Sequence, residues 1–105
     1  MVRGEIFKLP DLGGRGSVQR GRRFAVVVQA DELMALSTVV VAPTSTRASA
    51  ATFRPEIELA GVTTRVLADQ VRAVDASRLG SSAGRLSAAE ARELDDALEL
   101  VLGLG

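Results

Sequence analysis

Arg23-Phe24-Ala25-Val26-Val27-Val28-Gln29, residues 23–29, is an unbroken apolar run with a cationic mouth. Five consecutive apolar residues, three of them valine, read as a strand buried on both faces rather than one that alternates between core and solvent. Gln19-Arg20-Gly21-Arg22 leads into it without a break, so three guanidiniums cluster where the strand begins. Permanent positive charge at the edge of a core is how an anion site is built.

Working upstream, Asp11 to Val18 carries three glycines in four positions, Gly13, Gly14 and Gly16. This predicts a long loop, more a lid than a nucleotide cradle, because it lacks the Gly-Lys-Ser/Thr ending of a P-loop. Before it, Gly4 to Leu9 reads as a first strand, closed by Pro10. Downstream, Asp31 to Leu36 forms one or two helical turns with acids at the start. Ser37 to Ala42 is a β-branched strand that Pro43 is expected to stop, and the hydroxyl-rich stretch Thr44 to Thr52 reads as a loop.

Phe53 to Leu59 alternates Glu56 and Glu58 with Ile57 and Leu59, a half-exposed strand that Pro55 sets near a sheet edge. Gly61 makes the turn. Thr64 to Val74 gives one long strand or two short ones, Asp75 to Gly80 a turn or short helix, and Gly84-Arg85-Leu86 a brief last strand. The terminal helix has a capping box in Ser87 and Glu90, with a staple available between Leu86 and Ala91. Ala91, Leu94, Leu98, Val101 and Leu102 fall on one face, and Gly103 ends it. Short strands followed by one helix predict a mainly β fold, a small antiparallel barrel with a C-terminal helix packed against it.

A chain of 105 residues with 47% hydrophobic content suffices for one core and is short for two, so a single domain, residues 1–105, is expected. Basic and acidic side chains balance at 13 each. They are not evenly spread, for the segment from Leu86 onward carries a balance of minus four and the remainder plus four. All but Lys8 of the bases in that remainder are arginine.

The chain contains neither Cys nor His. Disulfides, thiolate nucleophiles, catalytic triads and the commonest metal ligands are thereby excluded. Asp69 and Asp75 have no acidic cluster around them, so no metal site is expected, and no cofactor. No apolar run approaches the roughly 18 residues that cross a bilayer and no signal pattern opens the chain, so a cytoplasmic location is expected. Three phenylalanines offer little for base stacking.

What remains is Arg20, Arg22 and Arg23, the hydroxyls of Ser45 and Thr46, and Asp69 with Gln70. Guanidinium and hydroxyl donors suit a phosphodiester and can stabilise charge that develops on it without a metal. RNA would supply its own 2′-hydroxyl as nucleophile, so the protein need only position it and move protons. Blander roles fit the same residues. Arg22 and Arg23 suit solvated or ion-paired positions, Ser45 and Thr46 suit turn residues bonding their own backbone, and Asp69 suits an acceptor for loop amides.

The order of these pieces resembles one family. Arg3-Gly4-Glu5-Ile6, then Gly16-Ser17-Val18-Gln19-Arg20-Gly21-Arg22-Arg23 before a valine strand, Val41-Ala42-Pro43-Thr44-Ser45-Thr46, Val66-Leu67-Ala68-Asp69-Gln70-Val71-Arg72, and Leu79-Gly80 with Gly84-Arg85-Leu86 together resemble the MazF/PemK toxins. The resemblance implies an SH3-like barrel, a homodimer, and a sequence-specific, metal-independent endoribonuclease acting on single-stranded mRNA. It also implies a cognate antitoxin that occupies the substrate groove.

By the same resemblance Arg23, Ser45 and Asp69 are the expected catalytic residues, and Gln19, Arg20, Arg22, Thr46 and Gln70 the expected substrate contacts. Three positions depart from the family pattern: Val18 where an acid is usual, Phe24 where proline is usual, and Ser45 where threonine is usual. Two alternatives stay open. One is a gyrase poison like the CcdB toxins, against which stands the absence of Trp. The other is a catalytically weak member that only binds antitoxin or RNA.

Overall fold

The computed structural model describes residues 1–10 and 23–104. The expected glycine lid and the substrate contacts Gln19, Arg20 and Arg22 lie outside the described residues. Seven strands follow in chain order: β1 (Glu5–Lys8), β2 (Phe24–Val27), β3 (Thr38–Ser45), β4 (Glu56–Leu59), β5 (Val62–Val66), β6 (Arg72–Asp75) and β7 (Ser82–Arg85). Among the described residues one α-helix, α1 (Ala88–Leu102), follows β7, and 3₁₀ turns occupy Asp31–Leu33, Ala68–Gln70 and Ala76–Arg78.

All pairings are antiparallel, in the order β4-β5-β3-β2-β1-β7, with β6 beside β3. The sheet curls into a nearly closed barrel, as expected. Its centre is β2 and β3, which bury both faces. Val26 and Ala42 join Ile6, Ile57, Leu59 and Val66 beneath the helix residues Leu94, Ala97 and Leu98. Ala25, Val27, Val39 and Val41 point the other way, into a second cluster with Leu9 and Val74. Two cores on opposite sides of one strand are what an unbroken valine run produces.

The structure corrects the reading of Pro43. Instead of ending the strand, Pro43 lies inside β3, paired with Ala25. The reason is the alternation of the ladder. Val28 N–H donates to the Val40 carbonyl at 3.0 Å, which makes Val26 and Ala42 a bonded pair and Ala25 with Pro43 a non-bonded one. The missing N–H of Pro43 therefore points away from β2, to the side where β3 exchanges β6 for β5 as its neighbour. No bond to β2 is lost. The Pro43 carbonyl, on that same side, accepts the Leu67 N–H at 2.8 Å.

Two boundaries also move. Thr44 and Ser45 belong to β3 rather than to a loop, and Phe53 precedes β4, which starts at Glu56. Leu59 pairs with Val62 around a two-residue turn in which Ala60 and Gly61 both have positive φ, 53° and 80°, the geometry that matches strand twist in a tight hairpin. The capping box is present as read, with the Glu90 N–H donating to Ser87 Oγ and the Ser87 N–H to Glu90 Oε1. Gly103 adopts the left-handed conformation that ends α1. Leu102, expected on the buried face, is instead 54% exposed.

Candidate functional site

The register of the central strands assembles a row of side chains across four of them. Ala25 pairs with Pro43, and the same register continued two residues past the pairing brings Arg23, just outside β2, level with Ser45. Ser45 in turn pairs with Arg65 of β5, and Arg65 with Glu56 of β4. Directly opposed residues share a face of the sheet, so Ser45, Arg65 and Glu56 form one line, which the continued register extends to Arg23 for a length of roughly 15 Å at the usual strand spacing.

Each member has a physical reason to be where it is. Arg23 is half-buried at the mouth of β2, and its carbonyl accepts the Leu9 N–H at 2.8 Å, which fixes its backbone. Phe24, in the position the family usually gives to proline, packs against the core beneath α1, and its carbonyl accepts the Thr44 hydroxyl at 3.2 Å. The last residue of β3, Ser45, accepts the Arg47 N–H on Oγ at 3.0 Å. That is the turn role foreseen for it, and it leaves the hydroxyl proton free to donate. Thr46 follows on the exposed bend.

Arg65 was not singled out by sequence. Its Nη2 bonds Glu56 Oε2 at 2.8 Å and its Nη1 reaches the Arg54 carbonyl at 2.9 Å. Arg54, equally unforeseen, grips Asp69 with two donors, Nε to Oδ1 at 3.2 Å and Nη2 to Oδ2 at 2.9 Å. The Arg54 guanidinium beside Asp69 holds that carboxyl below the usual carboxylate range, outweighing burial, which acts in the opposite direction. Asp69 and the exposed Gln70 sit on the 3₁₀ turn that leaves β5. Ala68 on the same turn is buried against the helix-side core.

The other carboxylate noted in the sequence, Asp75, is structural. Its Oδ1 accepts the Ser77 N–H at 3.0 Å and the Ser77 hydroxyl at 2.8 Å, capping a 3₁₀ turn. Among the described residues, no group of three or more acidic side chains is arranged to hold a metal ion. An apolar groove of about 500 Å³ opens elsewhere, between α1 and the end of β2, lined by Val28, Leu33, Leu98 and Leu102. Val28 is about 16 Å along the strand from Arg23 at roughly 3.3 Å per residue, so the groove is not part of the row. Among the described residues no helix is long and apolar enough to cross a membrane.

A hydroxyl and two guanidiniums aligned on one face, with a clamped carboxylate beside them, are equipped to hold and polarise a phosphodiester. The sequence model of the PemK-like, MazF-like toxins of type II toxin-antitoxin systems matches residues 2–102. This chain belongs to that family. The Mycobacterium tuberculosis endoribonuclease MazF9 is 37% identical to this MazF-like chain over 117 residues, covering 99% of this chain and 98% of that one. Rv3098A of the same organism, named as a candidate toxin, is 47% identical over 76 residues, 70% of each chain. Among solved structures, MazF from Deinococcus radiodurans superposes with a TM-score of 0.78 at 26% identity, over 98% of this chain and 96% of that one. A mycobacterial endoribonuclease in complex with its cognate antitoxin shares the fold at a TM-score of 0.84, with 21% identity over 100% and 97% of the two chains.

Proposed function

We propose that this MazF-like toxin is an endoribonuclease that cuts single-stranded mRNA by attack of a ribose 2′-hydroxyl on the adjacent phosphate. The observation that supports this reading is the antiparallel register of β2 and β3, Ala25 with Pro43, whose continuation by two residues leads to Arg23 on one chain segment and Ser45 on the other. In the proposed reaction Arg23 stabilises the charge that builds on the phosphate, and Ser45 and Thr46 hold its non-bridging oxygens. Stabilisation suits arginine better than proton donation, because a guanidinium keeps its proton and its charge. Gln19, Arg20, Arg22 and Gln70 are the proposed substrate contacts. The Asp69 carboxylate is the proposed proton acceptor or substrate ligand.

The reaction needs no metal or cofactor, because the nucleophile belongs to the substrate and the charge is met by guanidinium. The proposed setting is a cytoplasmic homodimer of single-domain chains, held inactive by an acidic, hydrophobic antitoxin segment that competes for the same arginines. Cleavage by a homologue named an endoribonuclease favours this reading over gyrase poisoning.

Incubation of the pure protein with mixed RNA in EDTA tests the proposal. Cleavage is expected to persist, and Arg23→Ala to lower kcat by about a hundredfold to a thousandfold, the usual cost of losing one donor to a developing oxyanion. A folded wild-type protein that leaves RNA intact, or an Arg23→Ala variant as active as the wild type, refutes it.

A further inference from the structure

We propose that Asp69 and Arg54 form a base-reading element of the RNA site, in which Arg54 positions the Asp69 carboxylate to accept from the exocyclic amino group of a nucleobase. The inference deepens the nuclease reading above and rests on it.

The geometry carries it. Arg54 is restrained from several directions, with Nε and Nη2 on the two Asp69 oxygens, Nη1 on the Ser49 carbonyl at 3.4 Å, and Cζ 5.4 Å from the centroid of the Phe53 ring. A guanidinium fixed in this way fixes the carboxylate it grips. The backbone of the same residue is tied to the phosphate-facing row, since the Arg54 carbonyl accepts from Arg65, the cross-strand partner of Ser45. Asp69 thus lies next to the row at a set orientation, on a turn anchored in the core by Ala68.

What such a pair can recognise follows from its valences. An ionised carboxylate accepts only, at about four lone-pair sites, and Arg54 occupies two of them. The Asp69 backbone N–H also lies near the carboxylate, and the acceptor capacity left suits a further N–H donor. Adenine, cytosine and guanine each offer an amino group, whereas the one donor of uracil, N3–H, lies between two carbonyl oxygens that a carboxylate repels. Phosphate is the wrong ligand here, because the pair has no net charge and a bare carboxylate edge repels an anion. Proton transfer is also the wrong task, since a carboxylate stabilised as its anion by two guanidinium bonds is a weakened base. Arg54 is accordingly a positioning residue and Asp69 a recognition residue.

Mapping 5′ ends after digestion of a randomised RNA pool, together with steady-state kinetics on one good substrate, tests the proposal. Asp69→Asn is expected to lower kcat/KM about tenfold, mainly through KM, and to relax the choice at one position that the wild type restricts to an amino-bearing base. Arg54→Lys keeps the charge, loses the planar fork, and should relax that same position. The acid limb of the pH–rate profile should match the wild type in both variants.

Loss of that limb with a fall in kcat of a hundredfold or more in Asp69→Asn assigns the carboxylate to proton transfer and overturns the proposal. Unchanged sequence choice in both variants overturns it as well. Should the folded wild type cleave no RNA, the nuclease reading fails, and fluorescence anisotropy with oligo(A), oligo(C) and oligo(U) decides this inference instead. A preference of about tenfold for the amino-bearing oligonucleotides that vanishes in Asp69→Asn sustains it, and equal wild-type affinities end it. Circular dichroism melts of each variant separate these outcomes from misfolding.

Discussion

Replacing Glu90 with alanine is expected to destabilise the protein by about 2 kcal/mol at neutral pH, through two backbone donors that lose their acceptor. Glu90 Oε1 accepts the Ser87 N–H at 2.8 Å, and Oε2 accepts the Glu58 N–H at 3.0 Å. The first bond is half of the capping box; the second ties the start of α1 to β4. Hydrogen bonds to a charged group contribute about 1.5–3 kcal/mol each, and solvent access to this half-exposed side chain reduces each to about 1 kcal/mol.

An unfolding entropy of roughly 2.1 cal/mol/K per residue over a chain this long converts about 2 kcal/mol into a Tm lower by about 9 °C. The effect has a pH signature. Burial raises the Glu90 carboxyl, but the Ser87 and Glu58 donors outweigh it and leave the group below the ordinary glutamate value of 4.5. Because the folded-state value is the depressed one, the stabilisation is complete above the unfolded value and is lost as pH falls through the folded one. Thermal melts of wild type and Glu90→Ala, followed by circular dichroism from neutral to acidic pH, should therefore converge at the acid end. A gap under about 2 °C at neutral pH, or one that persists undiminished to about pH 3, refutes the reasoning.

Two further outcomes follow from the row and the core. Ser45→Ala should lower kcat for RNA cleavage by roughly tenfold to a hundredfold, the worth of one hydrogen bond to a charged phosphate, and Ser45→Thr should retain the activity. Comparison of the two variants on one fluorogenic RNA checks it. Ile57→Ala should cost about 2–5 kcal/mol in urea denaturation, because Ile57 is 2% exposed and packs in the helix-side cluster, where a rigid barrel cannot collapse onto the cavity.

The parts of the fold legible in the sequence were those set by local rules. Ser87, Glu90 and Gly103 mark α1 because caps are decided within one turn, and Phe24 to Val28 declared burial on both faces because no polar residue interrupts it. Glu56 and Arg65 were within reach too. Once Ala60-Gly61 is taken as a two-residue hairpin turn, counting outward from Leu59 and Val62 pairs them. The Arg54–Asp69 clamp was not legible, since its members are 15 residues apart and meet only when β5 turns into the 3₁₀ segment. Leu102 misled because periodicity assigns a residue to a helix face but does not say how far the sheet beneath extends; it borders the open groove instead.

Pro43 shows why the site sits where it does. A strand that stopped there would leave Ser45 on a loop, free to choose its own turn. Because the proline nitrogen faces the gap between β6 and β5, β3 continues two residues further and pairs Thr44 with Val66 and Ser45 with Arg65. Ser45 is then held against the β5 strand that carries Arg65, on a β3 strand whose other edge pairs with β2 just beyond Arg23. A hydroxyl on a rigid strand end loses less freedom on binding a phosphate than one on a loop. The strand mouth at Arg23 supplies charge, but the change of partner at Pro43 aligns a hydroxyl with it.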